Sequence, residues 1–392
     1  MSMLAHSSSP ILNPDRNPLL RWLLKRTFYA QFCAGENAKE VKETVDELKR
    51  MGYQGVILAY AKEEVVKHSA AKALGDRTVS GEAAEKADRE AKTWRDATLE
   101  TVRMTASGDF VALKFTGAGP QAFYHLAHGL PPSAALEQAI VDVCNLSSAR
   151  GVRLLFDAEQ QAVQAGIDAW TLDFMRRYNI RNVTVYGTYQ AYLKATPLTL
   201  ARHLSAARNE GFILGVKLVR GAYLALDPRH LIHDTKEDTD ACYDGIAESL
   251  MRRSYNNVLS PLPGEGDSEF PDVGVVLASH NHTSVRKAQK LRASQTEAGQ
   301  DKIDMVYAQL LGMADEVSCA LLQARFEGRK NKTADLPKAY KYFVWGSTGE
   351  CMKYLLRRAE ENRDAFARTR EGRDALAREL WRRMRRSIGL SN

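Results

Sequence analysis

The sequence is poor in cysteine, and its cysteines show no pairing pattern. Only five occur in 392 residues, at Cys33, Cys144, Cys242, Cys319 and Cys351, and no CxxC pair is found. An odd number of scattered cysteines is typical of a protein from a reducing compartment. The pattern therefore argues against a disulfide scaffold and against a cysteine-based zinc site.

Long apolar runs and phosphate-binding motifs are also missing. No window approaches the roughly 18 consecutive apolar residues that would mark a membrane-spanning helix. Neither GxGxxG nor GxxxxGK[ST] is present, so the turns that usually signal nucleotide-binding Rossmann or P-loop sheets are lacking. A doubly wound sheet is therefore the second choice of architecture.

The charge of the chain is moderate but unevenly spread. With 44% hydrophobic and 26% charged residues the composition is that of a globular protein, and 55 basic against 48 acidic residues give a net charge of +7. Much of the excess lies in the arginine-rich segment 357–386. Such a segment could bind nucleic acid or anionic lipid. The pattern favours a solvated amphipathic helix, and we predict no nucleic-acid partner.

The first 26 residues are rich in serine and poor in acid. They contain four basic residues and one acid, Asp15. Organelle transit segments have this composition, but a clear arginine-rich amphipathic helix is lacking here, so a transit peptide is not evident. Either a leader has been removed upstream or the chain never carried one.

Short β-rich runs recur along the chain, each followed by a helical stretch. They are Gly55–Tyr60, Phe110–Phe115, Arg153–Phe156, Asn182–Tyr186, Ile213–Val219, Gly274–Ala278, Met305–Leu310 and Tyr340–Val344. Continuous apolar strands indicate a sheet covered on both faces, and strand-helix alternation indicates parallel strands joined by right-handed crossovers. Eight such units predict an α/β protein with a (β/α)8 TIM barrel.

Three parts follow from this pattern. Residues 1–52 form an N-terminal segment and helical arm, 53–365 the barrel, and 366–392 a basic helical tail. Within them, Lys62–Thr105 is rich in helix formers, and Ser260–Asp272 is rich in turn formers and predicts a long exposed loop.

A TIM barrel places its site at the carboxyl ends of its strands. Polar and aromatic residues occur at those ends, namely Lys114, Asp157, Glu159, Gln190, Lys217, Arg220, Tyr223, His280, Gln309 and Tyr342. Burying several cations together is costly unless an anion neutralises them. The residues at this end of the barrel therefore predict a ligand with a phosphate or carboxylate group.

The segment "YLLRRAEEN" places four residues on one helical stripe, namely Tyr354, Arg357, Arg358 and Glu361. Such a stripe is often a solvated surface. The helix, however, begins just after the eighth strand, close to the predicted mouth. On that geometry the stripe faces the site, and the arginine pair acts as a carboxylate clamp.

Two other chemistries compete at this mouth. Lys114 or Lys217 could form a Schiff base, although pairing with Asp157 or with an anion is favoured. His280 and His282 could bind a metal ion, but beyond Asp157 or Glu159 no convincing third ligand is available. We therefore expect no metal.

Five motifs, "KLVRGAY", "QAYL", "ASHN", "QLLGMAD" and "YKYFVWG…YLLRRAEEN", resemble those of the proline dehydrogenase (proline oxidase) family. They occur in the family's order between Phe28 and Asn362, and the chain is most similar to the monofunctional, fungal-like mitochondrial branch. The resemblance implies a distorted barrel that holds FAD non-covalently, with the last helix over the mouth.

The resemblance also implies the reaction and its setting. L-proline would be oxidised to pyrroline-5-carboxylate by hydride transfer from C5 to flavin N5, and the electrons would pass to a membrane quinone. The implied location is the matrix side of the mitochondrial inner membrane, with peripheral membrane contact.

Roles for individual residues follow from the same resemblance. Substrate would be held by Lys114, Tyr223, Leu310, Tyr342, Tyr354, Arg357 and Arg358, the two arginines binding its carboxylate. The cofactor would be held by Asp157, Gln190, Lys217, Arg220, Gly221, His280 and Glu361. No side chain is an obvious general base.

Tyr342 also bears on substrate choice. Hydroxyproline-oxidising relatives have a smaller residue at this position, and a large ring leaves little room for a 4-hydroxyl group. Proline is therefore expected in preference to hydroxyproline, which is the alternative substrate within the same fold.

Overall fold

The computed structural model describes residues 13–61, 81–224, 226–266, 268–330, 335–352, 354–356 and 358. The chain divides into two compact units, residues 33–346 and a terminal unit of residues 1–32 with 347–392. The division at residues 52 and 365 stays a prediction. Residues 62–80 of the predicted helical segment and the basic tail 366–392 lie outside the described residues.

Eight parallel strands close into a barrel, in which each strand pairs with the next and β8 pairs with β1. The strands are β1 (Gly55–Tyr60), β2 (Phe110–Leu113), β3 (Arg153–Phe156), β4 (Val185–Gln190), β5 (Leu214–Val219), β6 (Val273–Ala278), β7 (Asp304–Leu310) and β8 (Ala339–Trp345). This confirms the predicted (β/α)8 barrel.

Helices precede, connect and cover these strands. In the terminal unit are α1 (Pro18–Leu24) and α2 (Ala30–Phe32), and in the barrel unit are α3 (Ala38–Met51), α4 (Glu82–Met104), α5 (Pro120–Ala127), α6 (Ala134–Arg150), α7 (Gln161–Tyr178), α8 (Thr196–Glu210), α9 (Lys236–Arg252), α10 (His282–Glu297) and α11 (Asp315–Gly328). Helix α4 confirms the helical prediction for its part of 62–105 and packs against α6.

Side chains alternate between the two faces of the barrel wall, as the period of a β-strand requires. Outward-facing residues such as Leu58, Leu154 and Val216 are fully buried in the main hydrophobic core. At the amino-terminal end of the interior, Phe110 makes edge-to-face ring contacts with Tyr186 and Tyr340. The strands read as continuous apolar runs because both faces are covered.

Strand β4 starts three residues later than predicted and ends at Gln190. The cause is Asn179, whose side-chain oxygen accepts hydrogen bonds from Thr184 N and Val185 N, both at 2.9 Å. These bonds hold the preceding residues in a turn. The prediction relied on continuous apolar runs, and Gly187 and the polar Thr188 interrupt such a run. The second half of the strand was therefore not predicted.

In the terminal unit, Asn17 caps α1, which continues through a π-helical turn (Lys25–Tyr29) into α2. The described part of the last helix comprises residues 348–352, 354–356 and 358. Gly349 N donates to Asp15 Oδ1 at 2.9 Å, which ties the two ends of this unit together. The predicted position of the last helix over the barrel mouth stays a prediction.

Among the described helices, none has the length and apolarity that crossing a membrane would require. The segment Ser260–Asp272 has neither helix nor strand where it is described, as predicted, although Phe270 within it is buried. All five cysteines carry free thiols, and four of them are buried.

Candidate active site

Asp157 is the centre of a buried polar cluster at the carboxyl end of the barrel. Its Oδ1 accepts a hydrogen bond from Lys217 Nζ at 2.5 Å, and its Oδ2 accepts one from the Tyr342 hydroxyl at 3.0 Å. The side chains of Asp157 and Lys217 are 9% and 8% exposed, and Lys217 Nζ lies 5.1 Å from the centre of the Tyr342 ring. The pairing of Lys217 with Asp157 is the arrangement favoured above over a Schiff base.

Lys114 joins this cluster at a small cavity. The cavity is lined by Trp94, Lys114, Asp157 and Tyr342 among others. Trp94 donates its indole N–H to the carbonyl oxygen of Lys114 at 3.0 Å and so fixes the backbone at the end of β2. The structure therefore brings together Lys114 and Tyr342, which the sequence assigned to substrate, with Asp157 and Lys217, which it assigned to the cofactor.

Gln190 ends β4 and links two neighbouring loops. Its side-chain oxygen accepts a hydrogen bond from Ala222 N at 3.2 Å, and its nitrogen points to the carbonyl of Glu159 at 3.5 Å. Glu159 in turn accepts hydrogen bonds from the backbone and hydroxyl of Thr116. Gln190 thus holds the loop after β5 against the loop after β3.

Thr188 stands beside Lys217 in the barrel wall, since the two residues are paired in the β4–β5 ladder and face the interior. Its hydroxyl is buried and has no hydrogen-bond partner in the described part of the chain. A buried hydroxyl is normally satisfied, so this one is suited to a bound molecule.

Arg220, just past β5, is held by side chains of three elements. It donates to Asp240 at 2.9 and 3.0 Å, to the Ser279 hydroxyl at 2.5 Å and to the Ser284 hydroxyl at 2.7 Å. Its guanidinium also lies 4.4 Å from the Tyr243 ring centre. Although burial raises the pKa of Asp240, hydrogen bonds from Lys236 and Arg220 bring it below its usual value. Arg220 is therefore rigidly placed, and its predicted cofactor contact stays a prediction.

His280 and Leu310 are brought together by a direct bond. Leu310 N donates to His280 Nε2 at 3.1 Å. The carbonyl of Leu310 accepts a hydrogen bond from Lys341 Nζ at 3.3 Å. Lys341 is buried and also donates to the Met313 carbonyl at 3.1 Å and to Asp315 at 2.8 Å. This lysine thereby fixes the loop after β7.

Gly221 adopts a φ of +155°, which favours glycine. A Cβ there would lie 2.3 Å from the Tyr192 ring. The Tyr192 hydroxyl donates to Asp227, whose other oxygen accepts from Gln161 N at 3.0 Å. The close approach of this ring leaves no space for a Cβ, and the predicted cofactor contact of Gly221 stays a prediction. The loop it shapes carries Tyr223, which is half-buried.

The predicted carboxylate clamp falls in the terminal unit. Tyr354 and Arg358 are both buried, and the Arg358 guanidinium lies 5.0 Å from the Tyr354 ring centre. Arg357 and Glu361 lie outside the described residues. The roles of all four residues stay predictions.

Sequence reasoning missed the residues that support the site. Tyr192, Asp240 and Lys341 were not assigned, although Tyr192 lies in the motif "QAYL" and Lys341 in "YKYFVWG". A lysine within an otherwise apolar strand was a usable signal, because a buried charge requires partners.

No group of three His, Cys, Asp or Glu side chains within the described ranges could hold a metal ion. A larger cavity of about 570 Å³ lies at the opposite, amino-terminal end of the strands and is lined by Arg153, Arg181 and Asp304 among others. TIM-barrel enzymes use the carboxyl end, where the Asp157 cluster lies.

Comparison with known proteins identifies the family. The family model described as proline dehydrogenase matches residues 41–371. The probable mitochondrial proline dehydrogenase of Schizosaccharomyces pombe is 29% identical over 94% of this chain and 81% of that protein. Mouse hydroxyproline dehydrogenase is also 29% identical, over 92% of this chain and 83% of that protein.

Human mitochondrial proline dehydrogenase 1 is 36% identical, but over 60% of this chain and 36% of the human protein. Among solved structures, proline utilization A (PutA) from Bdellovibrio bacteriovorus, inactivated by N-propargylglycine, has a TM-score of 0.60 at 16% identity. That match covers 87% of this chain and a third of the PutA chain, and it shows the shared fold. The chain belongs to the proline dehydrogenase family and is an oxidoreductase that acts on proline.

Proposed function

We propose that this chain is a FAD-dependent L-proline dehydrogenase whose product is pyrroline-5-carboxylate. The observation that carries the proposal is the buried Lys217–Asp157–Tyr342 cluster, with Lys114 beside it, at the carboxyl end of a family barrel. Polar and charged groups that converge at the carboxyl end of a barrel are typical of a ligand site.

The residues present fit a flavin. Interior-facing Ala59, Ala112, Ala278 and Ala308 place only small side chains near the carboxyl end. The unpartnered Thr188 hydroxyl and the Lys217 ammonium are polar groups directed into the same interior. Gln190, Lys217, Arg220, Gly221 and His280, with Glu361, are the residues that would hold the cofactor, and Asp157 would support it.

The chemistry that FAD supplies when bound is acceptance of a hydride at N5 and onward transfer of electrons. The residues of this chain bind and orient the substrate. Arg357, Arg358 and Lys114 neutralise the proline carboxylate, while Tyr223, Leu310, Tyr342 and Tyr354 surround the ring and exclude water. Lys217, hydrogen-bonded to Asp157, places an ammonium group in the interior, where it favours negative charge beside it.

The setting is part of the same proposal. Relatives from several organisms are named mitochondrial, which supports a mitochondrial protein. We place it on the matrix side of the inner membrane, in peripheral contact with the bilayer, with a membrane quinone as electron acceptor.

Hydroxyproline is the second candidate substrate. Mouse and human hydroxyproline dehydrogenases match 92% of this chain each. The Tyr342 ring, held by its bond to Asp157, argues for proline, because it cannot turn away without losing that bond.

Purified protein supplied with FAD and a soluble quinone tests the proposal. We expect L-proline to be oxidised faster than trans-4-hydroxy-L-proline, with pyrroline-5-carboxylate as product. N-propargylglycine, the inactivator of the Bdellovibrio PutA, should inactivate this protein irreversibly. Failure to oxidise either amino acid would overturn the proposal, and a preference for hydroxyproline would replace it by the second candidate.

A further inference from the structure

Lys341 is a buried cation that the proposed chemistry does not use. Its side chain is 2% exposed and lies in β8 between Tyr340 and Tyr342. Because side chains alternate along a strand and these two tyrosines face the barrel interior, Lys341 lies on the outer face of the wall. Burying an ammonium group is costly, so a residue of this kind requires partners of its own.

The ammonium group of Lys341 has an acceptor for each of its three N–H donors. It donates to the carbonyl oxygens of Leu310 at 3.3 Å and Met313 at 3.1 Å, and to Asp315 Oδ1 at 2.8 Å. Two of these acceptors are backbone groups at the end of β7 and in the loop that joins it to α11. Since an apolar side chain would fill the same place without the cost of a buried charge, the lysine indicates that the position of this loop matters.

Leu310 is bonded on both sides of its backbone. Its N–H donates to His280 Nε2 at 3.1 Å, and its carbonyl oxygen accepts the bond from Lys341. The N–H of the next residue, Leu311, donates to the carbonyl oxygen of Tyr342 at 2.8 Å. The end of β7 is therefore held by one group that follows β6 and by two that belong to β8.

The loop beyond Leu310 requires such support. Ala314 has a φ of +50°, in the left-handed region. This conformation is strained for a residue with a Cβ and persists only where surrounding contacts determine it. Lys341 bonds to Met313 and Asp315, the residues on either side of Ala314. The lysine thus fixes the turn into α11 as well as the end of β7.

The Leu310 side chain faces the interior of the barrel. Leu310 and Tyr342 are paired in the β7–β8 ladder and so share the interior face, where both are half-buried. Tyr342 bonds to Asp157 there, which places Leu310 beside the Asp157 cluster. A shift of the Leu310 backbone would therefore move part of the wall of the candidate active site.

We propose that Lys341 is a positioning residue, which fixes Leu310 so that the site accepts a five-membered ring in preference to a six-membered one. The role rests on the proposed function, in which Leu310 packs against the pyrrolidine ring. This selection by ring size is separate from the selection against a 4-hydroxyl group by Tyr342. A closely packed wall that cannot move is what excludes one additional methylene group.

Steady-state kinetics with L-proline and its six-membered homologue L-pipecolate test the selection. Lys341→Met removes the ammonium group and its three bonds. We expect KM for L-proline to rise about ten-fold with little change in kcat, and the preference in kcat/KM for L-proline over L-pipecolate to fall about ten-fold. Asp315→Asn, at a side chain that is 63% exposed, should change both quantities in the same direction but by less.

Lys49→Met is the matched control. Lys49 Nζ donates to Asp109 Oδ2 at 2.9 Å, and the Asp109 side chain is 1% exposed. This ion pair lies at the opposite, amino-terminal end of the barrel. Its loss should lower the thermal midpoint, as Lys341→Met also should, but leave KM and the substrate preference unchanged. A lysine with only a structural role would behave as Lys49 does.

Hydrogen exchange measured by mass spectrometry tests the bonds of Lys341 without turnover. Peptides that cover residues 310–314 should exchange faster in Lys341→Met than in Lys49→Met or the wild type. An unchanged KM and substrate preference in both Lys341→Met and Asp315→Asn would overturn the positioning role, and so would unchanged exchange in this segment. A wild type that does not oxidise L-proline would instead refute the proposed function, and the exchange rates would still report whether Lys341 holds the loop.

Discussion

The carboxylate of Asp157 accepts a hydrogen bond from the ammonium group of Lys217 at 2.5 Å, with both side chains less than a tenth exposed. Asp157 follows β3 and Lys217 lies within β5, so β4 stands between them in the barrel wall. Removing one partner of a buried ion pair is more harmful than removing both, because the remaining charge stays buried without compensation.

Asp157→Asn should therefore destabilise the protein by about 3 kcal/mol or more, since it leaves the Lys217 charge buried. The double variant Asp157→Asn/Lys217→Met should be more stable than Asp157→Asn alone. The measurement is thermal unfolding of the wild type, both single variants and the double variant. This double-mutant cycle gives the interaction free energy between Asp157 and Lys217. Strictly additive losses would show that the pair is not coupled.

Tyr342 sets the choice between proline and hydroxyproline in this account. Tyr342→Ser should raise kcat/KM for hydroxyproline relative to proline by about ten-fold, because it opens space for the 4-hydroxyl group. Tyr342→Phe is the matched variant, since it keeps the ring and removes only the bond to Asp157. If serine and phenylalanine give the same substrate ratio, ring size does not determine specificity.

The proposed clamp makes a distinct kinetic prediction. Arg358→Met, and likewise Arg357→Met, should raise KM for proline by about 100-fold through loss of a charge-assisted bond to the carboxylate. Arg286→Met, at an exposed site on α10, is the control. Steady-state kinetics that show an unchanged KM in both clamp variants would remove these arginines from the site.

His203 should make the fold sensitive to acid. Burial, with help from Arg176 and Arg202, lowers the pKa of His203 to about 4 from 6.5, and the ring lies 2.7 Å from the Tyr189 hydroxyl. The unfolded chain then binds more protons than the folded one between these values. Stability from this group is present above pH 6.5 and falls as the pH drops towards 4, by roughly 3 kcal/mol in total.

The measurement is the thermal midpoint of wild type, His203→Gln and the exposed-site control His230→Gln between pH 7.5 and about 4.5, within the range where histidine titrates. The wild type and His230→Gln should lose stability on acidification more steeply than His203→Gln. Parallel pH profiles for all three proteins would contradict the assignment.

The sequence predicted the barrel because strand burial on both faces leaves a strong signal in apolar runs. It failed at β4, where Asn179 moves the strand start and Gly187 and Thr188 interrupt the apolar pattern. Hydrogen bonds between a side chain and nearby backbone groups, such as those of Asn179, cannot be recognised from the amino-acid composition of a segment.

At the site, strand ends predicted which residues gather, and Lys114, Asp157, Lys217 and Tyr342 do lie together. Their pairwise bonds could not be predicted, since the closure and strand tilt of the barrel decide which side chains of non-adjacent strands meet in its interior. Gly221 shows the limit clearly, because its close neighbour is Tyr192, more than twenty residues earlier.

Anaerobic titration of the purified, FAD-supplied chain with L-proline tests the central claim most directly. We expect a yellow protein whose visible flavin absorbance is lost as L-proline is added. The Arg357→Met variant should have wild-type flavin content but much weaker bleaching. A protein that takes up no flavin, or whose bound flavin stays oxidised at saturating L-proline, would contradict it.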